Sequence, residues 1–298
     1  MLDLEGIGGN EVSRRRFRTE ADIDRAIRDG YGQGAGLDYK PWLRVRDVPS
    51  KGQSKKTLGL TVPRIYQLFS QNEYFYFLTL EFAKSVVDIR EQFPLLPTKE
   101  TEAAALSLGY AHPKFTGTQL NYVMTTDFLI TKVDSSGREV LKARTVKEDA
   151  ELYGAKARRI DEKLKIEQVF WEGRGVDWKL VTKEVLFENY FARNLEWIKR
   201  GAIVEPELKS YVIQRRFLHE LSECLDRDWT IDQALKHVSK RVFVPLVGCR
   251  RIYLNLLWEK IIKTDLKSEL LSWSLDLPEF EFDLTAVRNE KTYLEAGA

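Results

Sequence analysis

The chain has 298 residues but little cysteine, little histidine and no long apolar run. Its two cysteines, Cys224 and Cys249, are too few for a disulfide framework or a zinc cluster. Reduced thiols fit a cytoplasmic protein, and the cytoplasm is the expected location. The three histidines, His112, His219 and His237, show no metal-ligand spacing, and the last two fall in helical patterns as surface or half-buried positions. No stretch approaches the roughly 20 apolar residues of a membrane span. The first twenty residues, "MLDLEGIGGNEVSRRRFRTE", have no apolar core of the signal-peptide kind. A serine nucleophile elbow and a Walker loop are both missing. Residues 30–39, "GYGQGAGLDY", have Gly-x-Gly spacing, but no strand precedes them and no helix pattern follows, so they read as a flexible loop rather than a nucleotide site. Excess charge of either sign is missing too. The net charge of +2 provides no basic field over the whole chain, so any affinity for DNA must come from local patches.

What is present is enough for a packed fold. The chain is 43% hydrophobic, and its length predicts two domains. "TEADIDRAIRDG" predicts a short helix with Thr19 as N-cap and Gly30 as its end. An irregular stretch follows, with a strand-like core at "WLRVRDV" and a basic loop holding Lys51, Lys55 and Lys56. Such a loop is either simply solvated or a phosphate contact. In "SQNEYFYFLTLEF", Ser70 and Glu73 have the S-x-x-E spacing of a capping box at a helix start. "VVDIREQFPLL" reads as a strand, with Asp88, Arg90 and Glu91 in structural ion pairs first and in DNA or partner contact second. "AKARRIDEKLKIEQVFWEGRG" reads as a long amphipathic helix ending at Gly173 or Gly175, and "VDWKLVT" as another strand. After residue 182 the pattern turns helical, with three helices in "EPELKSYVIQRRFLHELSECL", "TIDQALKHVSKRV" (Thr230 as N-cap) and "LVGCRRIYLNLLWEKII". "KTDLKSELLSW" then alternates weakly, as a β-wing would. Three short helices and a wing fit a winged-helix module, and pattern alone fits an arbitrary small helical domain equally well. The expected division is 1–182, an α/β domain; 183–275, a winged-helix-like domain; and 276–298, a tail with no clear core face that is either partner-contacting or disordered.

The stretch "YVMTTDFLITKVDSSGREVLKARTVKE" carries the chemistry. Two apolar, β-branched runs flank the turn cluster "DSSG", which predicts a β-hairpin. A turn centred near Ser136 sets Asp127 opposite Thr145, and Thr145 and Lys147 share one face. A carboxylate, a hydroxyl and an ammonium then meet on one side of the hairpin. One reading is a solvated cross-strand Asp–Lys pair stabilising by roughly 0.2–1 kcal/mol. The other is the layout of the PD-(D/E)xK nuclease core. Phosphodiester hydrolysis needs a hard cation, and Mg²⁺ takes one or two carboxylates plus water and phosphate oxygens. Glu73 and Asp127 supply two carboxylates, and Lys147 would orient water or stabilise the transition state.

Longer blocks decide between these readings. "GQGAGLDYKPWLRVRDVPSKGQS", "SQNEYFYFLTLEF", "VVDIREQFPLLP", "HPKFTGTQLNYVMTTDFLI", "EKLKIEQVFW" and "FARNLEWI" occur in this order. Together they resemble the TnsA family, the endonuclease subunit of a heteromeric bacterial cut-and-paste transposase, across residues 25–200; "DIREQFPLLP" and "MTTDFL" are the most specific blocks. The resemblance implies an α/β restriction-endonuclease-like nuclease domain followed by a mostly helical winged-helix-like domain. It places the family's helix carboxylate on Glu73, its strand aspartate on Asp127 and its lysine on Lys147. Family members often carry glutamine two residues before that lysine. Here the position is Thr145, a poorer ligand, which leaves the main-chain carbonyl of Val146 as a substitute. Implied with these are two Mg²⁺ ions (Mn²⁺ as a substitute) and cleavage of the 5′ strands at transposon ends to a 5′ phosphate and a 3′ hydroxyl; the DNA contacts by Lys51, Lys55 and Lys56 rest on the basic loop alone. The implied partners are transposon-end DNA, a DDE transposase (TnsB-like) that cuts and joins the 3′ strand, and an AAA+ ATPase regulator (TnsC-like) docking on the C-terminal domain. A stand-alone PD-(D/E)xK restriction or repair nuclease and a non-enzymatic winged-helix DNA-binding regulator remain the alternatives. Glu73 also has its structural reading, as the capping residue alone.

Overall fold

The computed structural model describes residues 15–47, 54–283 and 287. The chain divides into two units. One comprises the chain through Tyr74 and Ala83–Lys183, and the other Phe75–Phe82 and the chain from Glu184 onward.

The first unit opens with α1 (Glu20–Arg28), where Asp22 accepts the backbone N–H of Thr19 at 3.0 Å in a capping box. The "WLRVRDV" segment is not a strand. Arg15 and Arg44 both hold the Asp47 carboxylate at 2.8 Å, and the N–H of Asp47 bonds the carbonyl of Arg44 at 2.8 Å, so the segment closes into turns over buried Trp42. The glycine loop at 30–39 is pinned to the strand behind it: the N–H of Gly36 reaches Asp88 Oδ2 at 3.3 Å, and the Tyr39 hydroxyl reaches the carbonyl of Glu91 at 2.9 Å. A two-stranded ribbon follows, β1 (Lys55–Leu58) against β2 (Ile65–Leu68), and then α2 (Gln71–Phe82). The division between the units runs along α2, after Tyr74.

A four-stranded mixed sheet is the body of the first unit. Its strands are β3 (Val86–Pro94), β4 (Thr125–Val133), β5 (Glu139–Lys147) and β6 (Asp177–Thr182), in that spatial order. The first two pairings are antiparallel and β5–β6 is parallel. A parallel neighbour requires a crossover, and α5 (Ala157–Glu172), preceded by the short α4 (Asp149–Tyr153), provides it. α3 (Thr98–Ser107), which the sequence reading did not anticipate, packs against α5. Leu129 and Ala143 from the sheet, Ala104 and Ala105 from α3, and Ile166, Phe170 and Trp171 from α5 form one core cluster. The expected ion pairs exist: Asp88 with Arg90, and Glu91 with Arg64 at 2.6 Å, the latter with both side chains buried.

The second unit continues through α6 (Lys183–Leu186), α7 (Phe191–Ile198), α8 (Tyr211–Ser222), α9 (Ile231–Val242) and α10 (Leu246–Trp258). Thr230 caps α9, its hydroxyl accepting from the N–H of Gln233 and its own N–H bonding the Gln233 side chain. α10 is buried almost all round. Gly201 meets it so closely that an added Cβ would lie 2.3 Å from Leu254 Cβ, which is why that position has no side chain. After α10, β7 (Ile262–Thr264) pairs with β8 (Phe280–Phe282). The segment expected as a wing, 263–273, contributes only the strand β7 to this ribbon. Its second strand comes from residues assigned to the tail, because buried Asn194 ties up the intervening chain through Leu266 O, Glu269 O and the N–H of Leu271. The tail also buries Phe280 and Val287. No helix among the described residues is long and apolar enough to cross a membrane.

Candidate active site

The hairpin register is the one the sequence predicts. Phe128 pairs with Arg144 and Leu129 with Ala143, so the next step sets Asp127 against Thr145. Asp127 is buried at the start of β4. Its Oδ2 accepts the backbone N–H of Val146 at 2.8 Å and lies 3.5 Å from Lys147 Nζ. Lys147 also donates to the carbonyl of Val146 at 3.1 Å and keeps a quarter of its side chain (26%) exposed. Burial by itself lowers the pKa of an ammonium, but the neighbouring carboxylates of Asp127 and Glu73 outweigh it and raise Lys147 above the ordinary lysine range.

Glu73 arrives from α2. The capping box forms in full: the N–H of Glu73 bonds Ser70 Oγ at 3.1 Å, Ser70 Oγ–H bonds Glu73 Oε1 at 3.1 Å, and the N–H of Phe69 bonds Oε2 at 2.9 Å. Both readings of Glu73 are therefore met at one place, since the capping carboxylate also faces the hairpin. Burial, and then the charge of Asp127, raises its pKa to about 8.

Two residues that the sequence reading missed complete the arrangement. Gln92 of β3 is buried between the carboxylates, with its Nε2 3.4 Å from Glu73 Oε2 and 3.4 Å from Asp127 Oδ1. Glu167 of α5 lies beneath the hairpin, where its Oε1 accepts both the Thr126 hydroxyl, at 2.6 Å, and the Thr145 hydroxyl. Burial raises Glu167 to about 7, against the two hydroxyl donors that favour its ionised form. Glu167 had a detectable signal in the sequence. It is an acid on the stripe Leu164, Phe170, Trp171, where helical spacing calls for an apolar residue.

The structure thus brings Glu73, Asp127, Val146 and Lys147 together, while the Thr145 hydroxyl is turned to Glu167. Lys55 rests on Tyr74, its Nζ 3.4 Å from the ring centroid, and Lys56 is exposed on β1. Lys51 lies outside the described residues. A further basic group stands at the α4–α5 corner. Lys163, and Lys156 at the N-cap of α5, have no ion-pair partner among the described residues. Burial first, and then the charges of Arg159, Lys147 and Lys156, lower the pKa of Lys163.

No three His, Cys, Asp or Glu side chains among the described residues group closely enough to hold a metal ion. The two carboxylates nevertheless fit a hard cation. They are the pair of oxygen donors that Mg²⁺ takes from a protein when water and phosphate fill its other positions, and a positively polarised amide already lies between them.

The profile of the TnsA-like endonuclease N-terminal family matches residues 83–183. "Transposon Tn7 transposition protein TnsA" of Escherichia coli is 38% identical over 180 residues, covering 60% of this chain and 63% of that protein. Over this span the chain is similar to the TnsA family. The match spans just under two thirds of the curated relative. The TnsA-like span contains Gln92, Asp127, Thr145, Lys147 and Glu167, and Glu73 lies ahead of it. Its mixed sheet with a helical crossover fits a restriction-endonuclease-like fold.

Proposed function

We propose that the chain is a Mg²⁺-dependent endodeoxyribonuclease that cleaves the 5′ strands at transposon ends, leaving a 5′ phosphate and a 3′ hydroxyl. It acts in the bacterial cytoplasm with a separate DDE transposase and an AAA+ ATPase regulator. The observation that supports this best is the meeting of Glu73, Asp127 and Lys147 at the start of the β4–β5 hairpin within a TnsA-like unit. Glu73, Asp127 and the Val146 carbonyl would hold the ion or ions, with Thr145 at most an auxiliary donor. When bound, Mg²⁺ lowers the pKa of a coordinated water and offsets charge on the phosphate. Lys147 remains an ammonium at neutral pH, because its carboxylate neighbours raise its pKa. It therefore serves as a fixed positive donor to the scissile phosphate rather than as a general base. Glu167 anchors Thr126 and Thr145 and so fixes the strand ends that aim Asp127 and Lys147. In the second unit, α8, α9 and α10 followed by the β7–β8 ribbon act as a winged-helix-like module that receives the regulator.

Mapping nicks on end-labelled transposon-end duplexes tests this reading. With the partner transposase and Mg²⁺, the chain is expected to nick the 5′ strand, and to be silent without the partner. Nicking alone, on any duplex, would favour a stand-alone nuclease. Unaltered DNA binding with no cleavage under any condition would leave a non-enzymatic regulator.

Lys56, Lys156 and Lys163, with Lys51 and Lys55, are the proposed phosphate contacts. The double substitution Lys156→Ala, Lys163→Ala is expected to flatten the salt dependence of duplex binding by about 1.8 in slope, at ~0.9 per phosphate contact. Cation binding should be unchanged. An unchanged slope in a binding titration from 50 to 300 mM salt would remove these two lysines from the interface.

A further inference from the structure

Gln92 makes three side-chain contacts, all at the outer limit of a hydrogen bond. Its Nε2 lies 3.4 Å from Glu73 Oε2 and 3.4 Å from Asp127 Oδ1, and its Oε1 lies 3.4 Å from Thr125 Oγ1. It is a buried side chain with no close partner, placed between two acids. Its backbone is unusual as well. With φ +50 it is in the left-handed region in the middle of β3, a conformation that a residue with a side chain keeps only where its surroundings impose it. One such restraint is the N–H of Trp42, which bonds the Gln92 carbonyl at 3.2 Å. The donor set is also short of a member. The Thr145 hydroxyl is committed to Glu167, and among the described residues no third acid joins Glu73 and Asp127.

The two ends of a carboxamide have nearly the same shape and opposite polarity. Turning the Gln92 amide by half a rotation puts its oxygen between the carboxylates and its NH₂ toward Thr125 Oγ1, which accepts as readily as it donates. The side chain needs no new space for either state. We propose that Gln92 is a ligand of the divalent cation, its NH₂ standing in the cation's place between Glu73 and Asp127 and its oxygen turning inward when the cation binds. This rests on the metal-dependent reading above.

The test is Mn²⁺ titration by calorimetry, with and without duplex DNA, on the full chain and on Gln92→Gly and Gln92→Glu. Glycine takes φ +50 without strain, so Gln92→Gly should melt no lower than the wild type. It should bind Mn²⁺ about tenfold more weakly, at the low end of what removing a supporting group costs a metal site. Gln92→Glu should bind at least as tightly as the wild type, since it returns an oxygen with a charge. Equal or tighter binding by Gln92→Gly, or loss of binding in Gln92→Glu, would mean that the amide is only a spacer and overturns the proposal. No binding by the wild type, even on DNA, would overturn the metal-dependent reading and this proposal with it, whereas wild-type binding with an indifferent Gln92→Gly overturns the proposal alone.

Discussion

Asp127→Asn is expected to abolish Mn²⁺ and Mg²⁺ binding and to lower strand cleavage at least ~10³-fold, the loss of several kcal/mol of transition-state stabilisation that a bound cation supplies. The geometry makes Asp127 the common element of the site. One of its oxygens holds the N–H of Val146 at 2.8 Å and faces Lys147 at 3.5 Å, while the other faces the Gln92 amide at 3.4 Å. Asparagine is the better first substitution because its carbonyl keeps the bond from Val146. Alanine leaves that buried donor without a partner, at a cost of about 1–3 kcal/mol. The expected outcome is therefore a folded protein with a flat calorimetric titration and no nick on an end-labelled duplex in the presence of the partner. Lys147 provides the internal check. Once Asp127 is neutral, the ammonium loses its nearest carboxylate and its pKa falls toward the ordinary value, which the ¹⁵N chemical shift of Nζ follows. Normal cation affinity in a folded Asp127→Asn would place the ion elsewhere and end the argument for this hairpin as its seat.

The parts of this site that were legible in the sequence are those fixed by local spacing. The turn cluster "DSSG" set the register of β4 and β5, and that register brings Asp127 to Val146 and Lys147, while the Thr145 hydroxyl turns to Glu167. The interval between Ser70 and Glu73 announced the cap of α2, and Thr230 with Gln233 that of α9. Missed features depend on what lies across the fold. Nothing near Gln92 in sequence announces a left-handed residue in a strand, because the reason lies in Trp42 and in the two acids that face it from α2 and β4. The "WLRVRDV" segment has the composition of a strand but lacks a partner strand, and its Arg44–Asp47 pair folds it back on itself. β8 was hidden for the opposite reason. "FEF" is too short to stand out, and it becomes a strand only because β7 offers an edge. The Thr145 hydroxyl was visible as a departure from the family pattern, but its partner Glu167 was not connected to it, since the two lie on different elements brought together by the crossover helix.

Glu73→Gln is expected to make the cation-free protein more stable while erasing cation binding, and the sign of the effect depends on pH. Burial and the charge of Asp127 raise the Glu73 carboxyl to about 8, so the folded chain holds that proton over a range in which the unfolded chain has released it. Below the unfolded value near 4.5 the carboxyl is protonated in both states and costs nothing. As pH rises from there, the wild type loses stability, and the loss is complete above the folded value. Glutamine does not titrate, and it keeps the cap, its oxygen accepting from the N–H of Phe69 and its NH₂ donating to Ser70 Oγ. Thermal melts in chelator should therefore coincide at pH 4 and diverge as pH rises. By pH 8.5 Glu73→Gln should melt ~2–8 °C higher, for a gain of ~1–2 kcal/mol in a unit of this size. Excess Mn²⁺ should reverse the order, because mass action stabilises only the protein that binds it. Binding to the wild type at pH 7 should also release a proton from Glu73, seen as a calorimetric enthalpy that changes with the ionisation heat of the buffer. Coincident melts at pH 8.5, together with a buffer-independent enthalpy, would mean that Glu73 is already an ordinary ionised cap and is no part of the cation site. Divergence in chelator followed by reversal in Mn²⁺ would mean that the fold keeps a costly carboxylate at the start of α2 because the ion requires it.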